Sequence, residues 1–415
     1  MLEEGCKIYR AVPSRPWPGT AALEVAYVWG RLGSWSGKFV LSNNTVEKIT
    51  SFLSTPGKAL GKPHKLVKNE SKAFIGSYVL GKGFVLEPEI AQELIHKNLR
   101  NKDVLFPYLI GQDLNSRPDQ SPSRWVINFF DWPLDAEHDD PKKPKGPPYA
   151  SDYPDCLKII EELVKPEREK LNQEVSTQRR RSKFWWLYGQ HAPALYESIK
   201  DKQQVLARSR VANINSISLV PADIVMSEAT VVFNFSDYAY FAVLQGAMHT
   251  EWLNHYASSM RNDIRYTPSD CFETFPFPEN TDTLETPVLR ELEAIGERYY
   301  THRQTIMQTR QEGLTKTYNR FHDPTQTDPD IQTLRDLHIQ MDTAVAAAYG
   351  WHDLLPSTSG RGAGGEGGLN HDFHETKQGL RFTISEAARR EVLDRLLELN
   401  HQRYAEEVAQ GLHDK

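Results

Sequence analysis

The chain has 415 residues, enough for two or three domains, with 39% hydrophobic and 25% charged side chains. That composition is of the soluble globular type, and no run approaches the roughly 18 apolar residues of a membrane span. A net charge of −6 argues against nonspecific coating of nucleic acid. Cys6, Cys156 and Cys271 are far apart and odd in number, so neither a disulfide framework nor a zinc site is expected, and a cytoplasmic setting fits.

In chain order, Pro16, Pro18 and Gly19 mark a turn, and Ala22 to Trp29 reads as a strand with Leu23, Val25, Tyr27 and Trp29 on one face. Gly33 and Gly37 bracket a second turn before the short run Phe39-Val40-Leu41. Strands are expected at Phe74 to Val79, Phe84 to Leu86, Asp103 to Ile110 and Arg124 to Phe130, with a helix over Glu87 to His96. Residues 136–150 read as a charged, proline-rich loop, and Tyr153 to Thr177 as one long helix. Strands follow at Gln204 to Val211, Ile217 to Val220 and Ala229 to Phe235, then a helix over Tyr238 to Tyr256.

From 284 the pattern turns helical. The spacing predicts helices over 284–311, with Gly313 as its closing residue, over Asp330 to Tyr349, closed by Gly350, and over Glu386 to Ala409, capped by Ser385. Ser357 to Gly368 is a Gly-rich linker.

Methyl transfer to adenine requires a Gly-rich strand–loop–helix for S-adenosylmethionine and an Asn/Asp-Pro-Pro-Tyr/Phe turn for the flipped base. The nearest string, Gly146-Pro147-Pro148-Tyr149, has Gly where the amide or carboxylate belongs and reads as a loop. Gly76 to Gly83 lacks the Lys-Ser/Thr of a phosphate loop and reads as a β-turn. His371-Asp372-Phe373-His374 has no evident third metal ligand and reads as a surface segment.

One charge asymmetry stands out. Residues 165–210 hold 11 Lys/Arg against 5 Asp/Glu, and include Arg179-Arg180-Arg181-Ser182-Lys183 next to Phe184-Trp185-Trp186-Leu187-Tyr188. Arg208-Ser209-Arg210-Val211-Ala212-Asn213-Ile214-Asn215 follows, and Ser258 to Thr267 is a second polar, basic loop. Arg bridges guanine O6 and N7, and Asn bridges adenine N6 and N7, so this mixture suits reading of base edges in the major groove. Lys and Arg elsewhere suit phosphates. The candidates for base readout are Arg208, Arg210, Asn213 and Asn215; those for the DNA backbone are Arg179, Arg180, Arg181, Lys183, Arg261 and Arg265. The plainer reading makes the aromatics core and the basic residues their solvated flank.

Several strings together resemble the MmeI-like type IIG restriction–modification enzymes and related defence-system adenine-specific DNA methyltransferases. They are Arg15-Pro16-Trp17-Pro18-Gly19-Thr20-Ala21, Val104 to Leu109 with Asp113-Leu114-Asn115, Ser121 to Phe129, Arg265 to Pro278, and Thr315 to His322. The resemblance spans about residues 15–410. It implies an α+β fold, a mixed α/β target-recognition domain followed by a helical C-terminal domain. Residues 1–70 would be the trailing edge of a methyltransferase domain, 71–279 the DNA target-recognition domain and 280–352 the helical C-terminal domain. A Gly-rich linker over 353–370 and a C-terminal helix within 371–415 would follow.

The resemblance further implies double-stranded DNA as partner, no membrane, and a separate or missing methyltransferase chain. No catalytic residue and no metal ligand is expected here, and no cofactor in this chain, with S-adenosylmethionine belonging to the complete enzyme. The expected function is sequence-specific recognition for an adenine-N6 DNA methyltransferase or restriction–modification enzyme. A partner-binding scaffold of a phage-defence system, or a degenerate methyltransferase, are the alternatives.

Overall fold

The computed structural model describes residues 6–17, 24–49, 53, 61–138, 146–260, 263–281, 285–355 and 368–413. The fold is mixed α+β, with several small sheets among helices. No described helix is long and apolar enough to cross a membrane. Contacts group the chain into two units, each assembled from separated segments: Met1–Asn69, Val243–Glu291 and His338–Lys415 form one, and Glu70–Ala242 with Leu292–Leu337 the other.

The second unit holds two four-stranded sheets. One runs Ser218–Pro221, Gln204–Ser209, Thr230–Phe233, Ala73–Ile75, with every neighbour antiparallel. Its central strands are buried on both faces: Val205, Leu206, Ala207 and Arg208 on one, Val231, Val232 and Phe233 on the next. That explains near-continuous apolar runs where a half-exposed strand would alternate. The other sheet runs Val225–Met226, Leu105–Leu109, Arg124–Ile127, Val85–Leu86, with the first pair parallel. Its Leu105, Tyr108, Val126 and Ile127 share a core with Phe84, Ile160, Trp186 and Tyr188.

The helix expected over Tyr153 to Thr177 is interrupted. Pro154–Leu163 ends at Val164, Lys165–Glu169 restarts with Pro166 in its first turn, and Ser176–Lys183 is a third helix. Proline has no N–H to donate to the preceding turn, so it serves as a start and not an interior residue. Likewise Tyr238–Gln245 and Ala247–Tyr256 are two helices, with Gly246 extended between them.

Gly313 has a different task from the one expected. Gln311 takes the left-handed position after Pro287–Arg310, with φ 52°. Gly313 is extended and precedes Leu314–Phe321. A Cβ at Gly313 would lie 2.3 Å from the Ser116 carbonyl carbon, so the site requires glycine for close approach of two backbones.

In the first unit a strand that the sequence reading missed, Cys6–Pro16, pairs antiparallel with Glu24–Leu32 and parallel with Phe39–Leu41, and Asn44–Val46 completes the sheet. Ser385 caps Glu386–Ala409, accepting from the Ala388 amide at 3.2 Å. This helix is tied to distant segments. The Asn400 amide exchanges hydrogen bonds with His64 backbone groups, both 2.8 Å, and donates to the Thr274 carbonyl at 2.7 Å. Glu407 accepts from the Val67 and Lys68 amides at 2.9 and 3.1 Å.

The linker Ser357 to Gly368 lies outside the described residues except Gly368. His371 is no surface residue: its side chain is 4% exposed, and its Nε2 is 2.7 Å from Asp342 Oδ2. The stretch Asp372–Thr376 is a strand of a hairpin with Gly379–Thr383.

Candidate nucleic-acid interface

The basic stretch is organised by a residue that the sequence did not mark. Arg168, 3% exposed, sits at the end of Lys165–Glu169 and donates to five carbonyls. These are Phe184 and Trp185 at 3.3 Å, Leu187, and Val79 and Leu80 at 3.3 and 3.0 Å. Its guanidinium also lies 5.1 Å from the Phe84 ring. Carbonyls and a ring solvate the cation without cancelling its charge. Burial, and then the nearby Arg181 and Arg180, pull its pKa down to about 10. It remains protonated at neutral pH, and a fixed buried charge next to an arginine-rich helix favours anions.

Arg168 thereby pins the turn after the helix Ser176–Lys183. On that helix Arg179, Arg180 and Lys183 are exposed and Arg181 is half-buried. Arg179 donates to the Gln173 carbonyl at 3.1 Å, and Arg180 and Lys183 lie over Phe184 at 5.8 and 5.4 Å. Trp186 and Tyr188 are core, and the Trp186 indole donates to the Trp132 carbonyl at 2.9 Å. Trp185 is half-buried beneath the Lys165 ammonium at 4.8 Å. The aromatics therefore divide: Trp186 and Tyr188 anchor the segment, and Trp185 stays near the surface with the cations.

The second cluster is the connection from the strand Gln204–Ser209 to Ser218–Pro221. Arg208 is 1% exposed; its Nε donates to the Ser209 carbonyl at 3.1 Å and its Nη1 to the Asn215 amide oxygen at 2.8 Å. Asn215 is 5% exposed. These two do not stand at the surface; they brace the base of the loop. Arg210 is half-buried and donates to the Tyr78 hydroxyl at 2.8 Å, whereas Asn213 is exposed. Of the four residues considered for base readout, Asn213 alone is exposed; Arg210 is half-buried, and its guanidinium also donates to the Glu228 carbonyl at 3.4 Å.

Arg265 is exposed on the hairpin Ser258–Met260/Asp263–Arg265, opposite Ser258. Arg261 lies outside the described residues. This hairpin belongs to the first unit, and the residues from Arg179 to Asn215 to the second.

The glycine-rich run Gly76 to Gly83 does not cradle a cofactor. A Cβ at Gly76 would lie 2.2 Å from the Ser227 carbonyl oxygen, and one at Gly83 2.5 Å from Leu163 Cβ. The chain's own atoms occupy the space a phosphate or S-adenosylmethionine would need, and the run leads into a 3-10 turn, Lys82–Phe84, not an α-helix. Tyr149 donates its amide to Asp152 at 3.0 Å, at the entrance of another 3-10 turn. These residues do not fit the methyl donor, and no methyl-transfer step follows from them. No group of three or more potential metal-ligating side chains occurs among the described residues.

Residues 165–279 match the family model described as MmeI, target recognition domain. No curated protein matches the chain. Among solved structures, that of the type IIL restriction-modification enzyme MmeI in complex with DNA is similar, with a TM-score of 0.67 at 15% identity. The likeness, one of fold, covers 97% of this chain and 47% of that one, so the chain spans about half the length of the protein it matches. The similarity to MmeI-like restriction–modification proteins is thus met twice, by a family match over 165–279 and by a shared fold over nearly the whole chain.

Proposed function

We propose that the chain is the sequence-specific double-stranded DNA recognition module of a restriction–modification enzyme or adenine-N6 DNA methyltransferase. Methyl transfer itself, and the S-adenosylmethionine it consumes, belong to a separate or missing catalytic chain. The observation that carries this reading is coincidence. The segment matching the MmeI target recognition domain, 165–279, contains the exposed basic helix and the loop bearing Asn213. The cytoplasm, expected from three widely spaced cysteines, belongs to the same reading.

The roles divide by chemistry. Arg179, Arg180 and Lys183 meet phosphates and set affinity; Arg210 and Asn213 face base edges and set sequence. Each phosphate contact releases counterions, so binding weakens with salt, at a slope of about −0.9 per contact on a double-logarithmic plot. Replacing Arg179, Arg180 and Lys183 with Gln should flatten that slope by about 2 to 3 and weaken binding to all duplexes alike. Fluorescence anisotropy with a labelled duplex pool across a salt series measures it. Wild-type protein that ignores duplex DNA at low salt would end the reading and leave a partner-binding scaffold in its place.

A further inference from the structure

We infer that Arg303, on the helix Pro287–Arg310 and outside the segment 165–279, is a positioning residue for base readout. It acts by holding the loop Arg210–Ile217 from beneath. The inference rests on the DNA-recognition reading above and adds where discrimination resides.

The loop joins two antiparallel strands whose register places Ser218 opposite Ala207 and Pro221 opposite Gln204. It is fastened at both ends by buried guanidinium groups. Arg208 holds Ser209 and Asn215 on the outgoing side. On the return side, Arg303 Nη2 donates to the Ile217 carbonyl at 2.6 Å. One turn of the same helix extends the grip. The Tyr300 hydroxyl accepts from the Leu219 amide at 3.2 Å, and Gln304 donates to Tyr300 at 3.2 Å and to Gln120 at 3.1 Å. Gln120 in turn donates to the Ser218 hydroxyl.

Arg303 is itself immobilised. It is fully buried, donates to the Tyr318 hydroxyl at 3.2 Å, and lies over the Phe241 and Tyr300 rings at 5.3 and 5.1 Å. Tyr318 is held in turn by the Tyr299 hydroxyl at 3.0 Å. Between the two fastenings only Asn213 is exposed, with Arg210 and Ile214 half-buried beside it. An amide that reads a base edge must be held to within about 0.5 Å, whereas a flexible cation on a phosphate tolerates more. Ile217, Tyr318 and the Phe241 and Tyr300 rings, which Arg303 meets, belong to elements other than the helix Ser176–Lys183. Loosening it therefore separates discrimination from affinity.

The test uses the full chain, with wild type, Arg303→Gln, Arg303→Lys, Tyr300→Phe and Asn213→Ala compared. Each selects from a library of duplexes with a random central region, and binding to the unselected pool is measured by anisotropy. Arg303→Gln is expected to keep pool affinity within about twofold. It should lose sequence preference by about tenfold, at the same base positions as Asn213→Ala. Arg303→Lys should recover part of it, since an ammonium reaches one acceptor but lacks the fork. Tyr300→Phe, which removes a hydroxyl and leaves the ring, should show the same loss in milder form if Arg303→Gln fails to fold.

Unchanged selectivity in the folded variants overturns the inference. Hydrogen exchange of the free protein separates this from failure of the DNA reading. If wild type binds no duplex, the readout role falls with the DNA reading, whereas faster exchange confined to 211–219 in Arg303→Gln or Tyr300→Phe still marks the loop as held by Arg303, and unaltered exchange there overturns that as well.

Discussion

Buried arginines do structural work that their sequence context conceals. Arg168 stood inside what read as an amphipathic helix, where a basic residue on a polar face is unremarkable. Its role depends on backbone carbonyls of residues 79–80 and 184–187, which no local pattern brings together. Removing it strands several buried acceptors at once. Arg168→Met should lower unfolding stability by about 3 kcal/mol, and Arg168→Lys should restore little of it, because one ammonium cannot reach both sets of carbonyls. Urea unfolding followed by tryptophan fluorescence reads this directly. The same limit explains Arg208 and Asn215. Residue type alone suited them to bases, but they lie in a strand buried on both faces and at its margin, where their polar atoms are used on one another.

Elements were more legible than residues. The helices Pro88–Lys97 and Glu386–Ala409 and the strands Phe39–Leu41 and Arg124–Ile127 followed from periodicity and caps. What periodicity hid were interruptions and partners set by tertiary contacts, such as Pro166 and the Gly313–Ser116 approach.

The joint around Asp342 is such a case. Its carboxylate, within the helix Pro329–Ala348, accepts from the Ala247 amide at 2.8 Å, at the start of another helix, and faces His371 and His338 at 2.7 and 3.4 Å. Burial acts to raise this carboxyl, but the two imidazoles and the amide outweigh it, so it titrates below an ordinary aspartate. A depressed folded pKa means that the stabilisation is present above the unfolded value of 3.8 and is lost as pH falls through the folded value. Asp342→Asn should therefore cost about 3 kcal/mol near neutrality, with the gap to wild type closing as pH falls below 3.8. Thermal melts across an acid series measure both.

At the scale of the molecule, the linear order of domains expected from the sequence and the grouping of contacts are different descriptions of one chain. The segment 165–279 takes residues 165–242 from one unit and 243–279 from the other. Expressed alone, it lacks the strand Ala73–Ile75, the strands Leu105–Leu109, Arg124–Ile127 and Val85–Leu86 that pair beyond Val225–Met226, and the Arg303 and Asn400 anchors. It should show no cooperative transition in a circular-dichroism melt, whereas the full chain should.

That interleaving also sets an order of events during synthesis. Residues 64–68 are synthesised 336 to 340 residues before Asn400 and Glu407, which complete their hydrogen bonds. Pairings over such sequence separation are slow to close. Over that stretch of translation residues 64–68 wait with unsatisfied backbone groups, open to wrong pairings until the helix Glu386–Ala409 arrives.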